Sequence, residues 1–410
     1  MSVAASSALA LFDDAHLCDP YPAYAALRAL GPLVRLERYG VWAVPGYAEV
    51  HAVLGNDSIF RSDGGVALTD LANRQILAGT VLASDGEQHH RLRRVLSRQL
   101  APRAITRLQE QFTDRARTLV KQLVEPGGFD AVALAQQMVA DTVMHSMGLP
   151  DSTRGTLLTG ANATFDAFGP GNDRYQQALP TASAMVAFLH ERVTRDSVRQ
   201  GSWMGDIFRA VDKGQLDEKE AIPLASAYTA ASMDTTILGL TEAIVQLARH
   251  PEQWALLRQK PERAVQAFHE SLRLEAPIQG FGRIVNKDTD LSGVRIKAGE
   301  QLWMLFGSTG RDDRKWGPTA DTYNLRRQLT NHHLAFGAGR HGCAGAHLAV
   351  MQAFALLGAL AEHCAHLALS GEPERVLNNL LRGYKRVRVA VELSQDATAA
   401  QSAVSSRRVQ

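Results

Sequence analysis

Residues 336–345 read FGAGRHGCAG and lead directly into the apolar run Ala346–Leu360. Cys343 therefore stands just before a helix, where free backbone N–H groups and the positive end of the dipole favour a thiolate. Three glycines precede it, Gly337, Gly339 and Gly342. They permit tight turns and the close approach of a flat ligand. Gly345 leaves room on the far side. A lone Cys-Gly pair is more often a buried structural thiol. Six positions at fixed spacing (Phe336, Gly337, Gly339, His341, Cys343 and Gly345) form a far more specific pattern.

Three further constellations could act with that cysteine. From Ala221 to Thr241 the only charged residue is Asp234, set in AASMDTTILGL. An acid beside the hydroxyls of Ser232, Thr235 and Thr236 in an otherwise apolar helix needs a reason, because unpaired burial is costly. A membrane span is the competing reading of this run, and the polar insert argues against it. Taken alone, Thr235 also fits a simple back-bond to a helix carbonyl. His89 and Arg93 in DGEQHHRLRR are four residues apart and project from one helix face; alone they would be a solvated basic face. Glu270 and Arg273 in HESLRLEAP form an i, i+3 pair of a commonplace kind.

Together, and in this order, the motifs resemble those of the cytochrome P450 family over nearly the whole chain. The resemblance implies haem b (iron protoporphyrin IX) with Cys343 as axial thiolate, a ligand that pushes electron density toward oxygen and favours O–O cleavage. It implies that His89, Arg93, Arg283 and His341 hold the haem propionates, with Phe336, Gly337 and Gly345 shaping the cofactor loop. It casts Asp234 as a proton relay and Thr235 as the alcohol that orders hydrogen bonds beside oxygen. Glu270, Arg273 and a downstream arginine, Arg327, become a structural lock near the haem loop. Two departures stand out. Ser232 occupies a position usually held by glycine, which bears on coupling, and Gly86-Glu87 stand where proline is frequent.

The elements that must position these groups are mostly helical. The segment Val34–Val44 reads as a β-hairpin, and a helix follows from about Ala48. Helical periodicity runs from Gln88 to about Gly148, broken at Pro102 and at 125–128. Further helices are expected over 151–220, Ala221–Arg249 and Glu262–Leu274, with short strands at 291–305 and 385–393. The fold class is mainly α (α+β): a helix-rich body with small sheets, the haem lying between the long central helix and the cysteine loop. Residues 1–393 read as one catalytic domain, and 394–410 as a disordered tail.

Composition narrows the setting. The 410 residues are 45% hydrophobic, ample for a large core. A net charge of +2 gives no global pull toward nucleic acid. Cys18, Cys343 and Cys364 form no pair pattern, and the N-terminus lacks a positive leader, so the expected home is the reducing cytoplasm, with no membrane attachment.

By family position, the substrate pocket is lined by the 61–69 loop, Phe165, Phe168, Ser226, Ala230, Ile278 and Phe281. The DTT segment and the NNLLRGYKRVRV stretch are similar to the branch that O-demethylates para-methoxybenzoate. Gly64, Gly65, Ser226, Ala227 and Ala230 supply no cation for a carboxylate, and Arg61 is the sole nearby candidate, so a neutral small aromatic is expected. Arg91, Arg93, Arg94, Arg98, Arg103 and Arg107 occur with no acid among them. With Arg340, their outward-facing subset suits an acidic ferredoxin or flavodoxin, fed by its reductase from NAD(P)H. The expected reaction is hydroxylation or O-demethylation with O2. A haem-binding redox or gas sensor, or a hydrogen-peroxide-driven peroxygenase, is the alternative.

Overall fold

The computed structural model describes residues 5–328, 330–395 and 397. Apart from Ser394, Gln395 and Ala397, the expected tail lies outside them. The early helical stretch divides where its breakers stand, into Gly86–Leu100, Pro102–Thr106, Gln109–Leu123 and Ala131–Met147. The last of these is opened by the Asp130 side chain, which accepts from Val132 N at 2.9 Å, and closed by Gly148 at φ 80°. Its apolar residues join those of the central, Glu270-bearing and post-cysteine helices in one core.

The central helix differs from expectation. It is two segments, Glu218–Ser232 and Asp234–Arg249, with Met233 between them at φ −95°, ψ −71°. Neither proline nor glycine stands at the break. Instead Ser232 Oγ donates to the Tyr228 carbonyl, and Thr235 Oγ1 donates to the Ala231 carbonyl at 2.8 Å. Hydroxyl groups that bond back to the preceding turn bend helices. The first segment starts in a capping box between Asp217 and Glu220. Glu220 also receives Arg91 at 2.5 Å, and Tyr228 donates its hydroxyl to Leu96 O at 3.1 Å. The Gly86–Leu100 helix is thereby tied to the central one.

The Val34–Leu36 and Val41–Val44 hairpin pairs as expected. It belongs to a six-stranded sheet that also takes in Ala5–Ser7, Phe60–Arg61, Gly280–Val285 and Gln301–Leu305. Strand Gly280–Val285 carries Arg283 and pairs antiparallel with Gln301–Leu305. The late β segment resolves into Arg382–Arg386 and Arg388–Leu393, which pair with different partners.

Two ionic clusters pin the helix Ala264–Leu274. Glu270 and Arg273 are fully buried and doubly bonded at 2.8 and 2.9 Å, and Arg327 Nε reaches Glu270 at 2.9 Å. Arg273 also donates to the carbonyls of Ala320 (2.6 Å) and Thr322 (3.0 Å). One residue past the helix, buried Glu275 meets Arg382 at 2.6 Å, Arg311 at 2.9 Å and Arg375 at 3.4 Å. The sequence reading did not anticipate this second cluster.

Candidate active site

The cysteine loop turns through Gly337 and Gly339, both left-handed at φ 66° and 65°. Cys343 N donates to Phe336 O at 2.8 Å, which closes the loop on itself. Phe336 leans on two histidines: its ring lies 5.4 Å from His333 and 6.1 Å from His269. The sulfur is deep in the molecule, yet its side chain is exposed, because it faces an internal cavity. A Cβ added at Gly345 would meet nothing nearer than that sulfur, at 4.0 Å. Burial pushes the Cys343 thiol up; N–H groups of Gly345 and Ala346 and the charge of Arg93 act against it without overcoming it. The N–H groups at the start of the following helix thus favour the thiolate, but by less than burial disfavours it. An anionic sulfur here calls for a cation bonded to it.

Across the cavity lies the break in the central helix, which contributes Ser232, Thr235 and Thr236. Asp234 is the first residue of the second segment. Burial lifts its carboxyl to about 7, and a hydrogen bond with the Asn162 side chain works in the opposite direction. One carboxyl oxygen, Oδ2, is buried without a hydrogen-bond partner among the described residues. The alcohol singled out in the sequence therefore faces the cysteine loop from the opposite wall, whereas Asp234, next to it in the chain, is buried and does not line the cavity.

One edge of the cavity gathers cationic groups. Arg93 donates to Gly342 O at 2.6 Å, and buried Arg283 to Gly282 O at 2.8 Å. Neither has a carboxylate within salt-bridge distance among the described residues. Burial drops Arg283 to about 10 despite the distant charge of Asp85. His89 is buried, with no hydrogen-bond partner on either ring nitrogen among the described residues, and its ring sits 4.2 Å from that of His341. Burial, then His341 and Arg93, lowers His89 to about 4. His341 Nε2 faces Asp85 Oδ1 at 3.4 Å. Burial would raise Asp85, but hydrogen bonds from His341 and from the N–H groups of Asp63 and Ser62 prevail and hold it at about 2. The sequence reading passed over Asp85, although its place four residues before His89 was a usable signal.

The substrate-side wall holds all six residues proposed for it: Phe165, Phe168, Ser226, Ala230, Ile278 and Phe281. The 61–69 loop is not part of it. Arg61 instead bonds Asp63 at 2.7 Å, and the wall on that side is built by Ile76–Leu82. No hydrophobic period marks that stretch in the sequence. The remaining polar groups toward this end are hydroxyls, from Thr80, Thr164, Ser226, Ser232, Thr235 and Thr236.

Residues 200–390 match the family model described as Cytochrome P450. The chain is 36% identical over 372 residues to cytochrome P450 CYP199A2 of Rhodopseudomonas palustris, covering 90% of both proteins. The chain belongs to the cytochrome P450 family. It is also 29% identical over 396 residues to the P450 monooxygenase PikC of Streptomyces venezuelae, covering 92% of each. Among solved structures, P450BioI bound to an acylated acyl carrier protein superposes with a TM-score of 0.83 at 24% identity, covering 92% of this chain and all of that one. The chain is accordingly a cytochrome P450 monooxygenase, and its chemistry rests on haem, O2 and transferred electrons. Among the described residues, no helix is long and apolar enough to cross a membrane.

The residues present fit a haem. The orphaned nitrogens of His89, the unpaired guanidinium of Arg283 and Arg93 crowd one edge, where two carboxylates would satisfy them. The open face over Gly345 and the cavity-facing Cys343 sulfur suit a planar metal macrocycle.

Proposed function

We propose that this P450 takes NAD(P)H-derived electrons from a ferredoxin or flavodoxin and its reductase, and hydroxylates or O-demethylates a small neutral aromatic. The observation that carries the reading is one cavity with Cys343 on one wall and the Thr235 helix break on the other, closed by apolar side chains. Haem b, ligated by Cys343 and held through its propionates by His89, Arg93, Arg283 and His341, would supply O2 activation and transfer of one oxygen atom. The protein's own contribution is to place protons and exclude water. Asp234, lifted to about 7, can both carry and release a proton near neutral pH. Thr235 keeps its own hydroxyl proton on Ala231 O, so its oxygen lone pairs remain available to accept from a donor in the cavity. Phe165 and Phe168 meet edge to face at 5.9 Å and line the substrate end of the cavity with aromatic rings, which suit an aromatic substrate.

Charge supports the neutral substrate. Every cationic group of the cavity sits at the propionate edge, and Arg61 is engaged with Asp63 outside it. A benzoate would lose water without gaining a partner. Neutral alkoxy- or alkyl-phenols should therefore shift the haem toward high spin in a binding titration; a shift with benzoates alone would overturn this assignment. At the surface Arg94, Arg98, Arg103 and Arg107 are exposed, while Arg91 and Arg93 are occupied by Glu220 and Gly342. The former four suit an acidic electron donor. Product formation with NAD(P)H and such partners, and little with peroxide alone, is the expected outcome. The reverse pattern would indicate a peroxygenase, and no product under either condition a sensor.

A further inference from the structure

Two histidines that neither the motif spacing nor the family resemblance brought forward tie the cysteine loop to the helix Ala264–Leu274. His333 follows the short turn Thr330–His332, three residues before Phe336. His269 stands on the helix, immediately before the fully buried Glu270. His269 Nδ1 and His333 Nε2 are 3.0 Å apart. Counting donors assigns the proton between them. Ala335 N, which can only donate, lies 3.2 Å from His333 Nδ1, so that nitrogen accepts. A neutral His333 ring then carries its proton on Nε2 and donates it to His269 Nδ1. The opposite direction would put a proton on His333 Nδ1, head-on to the Ala335 N–H. Phe336, next in the chain, rests on both rings, and its carbonyl accepts from Cys343 N at 2.8 Å. Leu334 O accepts from Gly337 N, also at 2.8 Å, so each residue from His333 to Gly337 makes at least one of these bonds.

We infer that His269 and His333 are positioning residues for the cysteine loop, a two-ring link that fastens Ala335 and Phe336 to the helix of the Glu270–Arg273 pair and so sets where the Cys343 sulfur stands. The inference rests on the reading of Cys343 as the haem ligand. The link explains why two polar rings stand side by side where apolar side chains would fill the same space. His333 is buried, and both of its ring nitrogens are satisfied, one by the loop and one by the helix. An apolar residue at 269 would strand the His333 Nε2 proton. Moving that proton to Nδ1 would set it against the Ala335 N–H. Either way one donor under the loop loses its acceptor.

The test uses the full-length haem-loaded protein, reduced and under carbon monoxide, a diamagnetic state. Nitrogen-15 spectra of labelled histidine, assigned by the signals lost in His269→Asn and His333→Asn, should show both rings neutral with the proton on Nε2. A proton on His333 Nδ1 overturns the inference. The second readout is the rate at which the thiolate-type band gives way to that of a haem without its thiolate. His269→Leu should speed this about tenfold, the effect of one lost hydrogen bond. His269→Asn, whose amide oxygen stands near the place of Nδ1, should return the rate toward the parent's. His333→Asn keeps an acceptor for Ala335 N but is too short to reach His269, and should be as fast as His269→Leu. If the leucine variant holds no haem, the two asparagine variants carry the comparison. Because the rings form one link, the double variant His269→Leu/His333→Asn should be no faster than either single one. Rates that multiply in the double variant, or single variants that melt earlier yet keep the parent's rate, overturn the inference and leave the pair as packing. A parent protein without a thiolate-type band would instead remove the reading of Cys343, and the inference with it.

Discussion

At the residue scale, the chemistry concentrates in a few atoms whose protonation is set by burial. Asp234 is the clearest case. A carboxyl raised to about 7 contributes stability that is complete below its unfolded value of about 4 and is lost as pH rises through the folded value. Asp234→Asn should therefore melt at a higher temperature than the parent above pH 7, while the two converge in acid. The same substitution removes the proposed proton carrier and should cut turnover by about 10²-fold. A melting series across pH, with turnover measured alongside, checks both halves; equal melting at every pH would show that the acid is not buried as described. Cys343, Thr235 and the cations at the cavity edge were legible in the sequence because their spacing is local and their order along the chain is distinctive. Asp85 was not singled out, because its importance comes from what the fold brings beside it.

At the element scale, short-range pattern specified most helices but not their joints. The early helices end at Pro102 and near 124–128 because those residues cannot continue them. The break at Met233 was not read as one, because a Ser-Met-Asp-Thr-Thr insert flanked by apolar helical sequence signals polar groups but does not by itself show that the hydroxyl back-bonds would interrupt the helix. Two-residue strands such as Phe129–Asp130 and Phe60–Arg61 owe their existence to long-range pairing and carry no periodicity of their own. The Glu270–Arg273 pair was recognisable only as a motif; the structure adds that both side chains are sealed from solvent and shared with Arg327. Removing one partner of a buried pair leaves a stranded charge, so Glu270→Ala should lose about 3–5 kcal/mol by denaturant unfolding. The variant should retain less haem than the parent at equal protein concentration, and parent-like stability would show that the cluster is dispensable.

At the scale of the whole molecule, charge is nearly balanced overall but unevenly placed. Arg94, Arg98, Arg103 and Arg107 are exposed and appear in no ion pair among the described residues. Substituting Arg94 and Arg98 by glutamate should raise the KM for an acidic ferredoxin about tenfold at low ionic strength, with the difference narrowing as salt is added. A KM that does not respond would move the docking site elsewhere. The fold also carries an acid sensitivity. His269 and His333 share a contact of 3.0 Å behind Phe336, and burial lowers His269 to about 4 and His333 well below the usual imidazole value. A depressed imidazole contributes stability that is present above about 6.5 and lost as pH falls toward 4. Haem release followed by absorbance should accelerate across that interval, and His269→Gln should flatten the dependence.

The proposed function turns on one bond, from the Cys343 sulfur to haem iron. The most direct measurement is the absorbance of the reduced protein under carbon monoxide. A band at the position typical of thiolate-ligated haem, lost in Cys343→Ala, is the result expected. A histidine-type band in the parent protein, or a protein that takes up no haem at all, would contradict it.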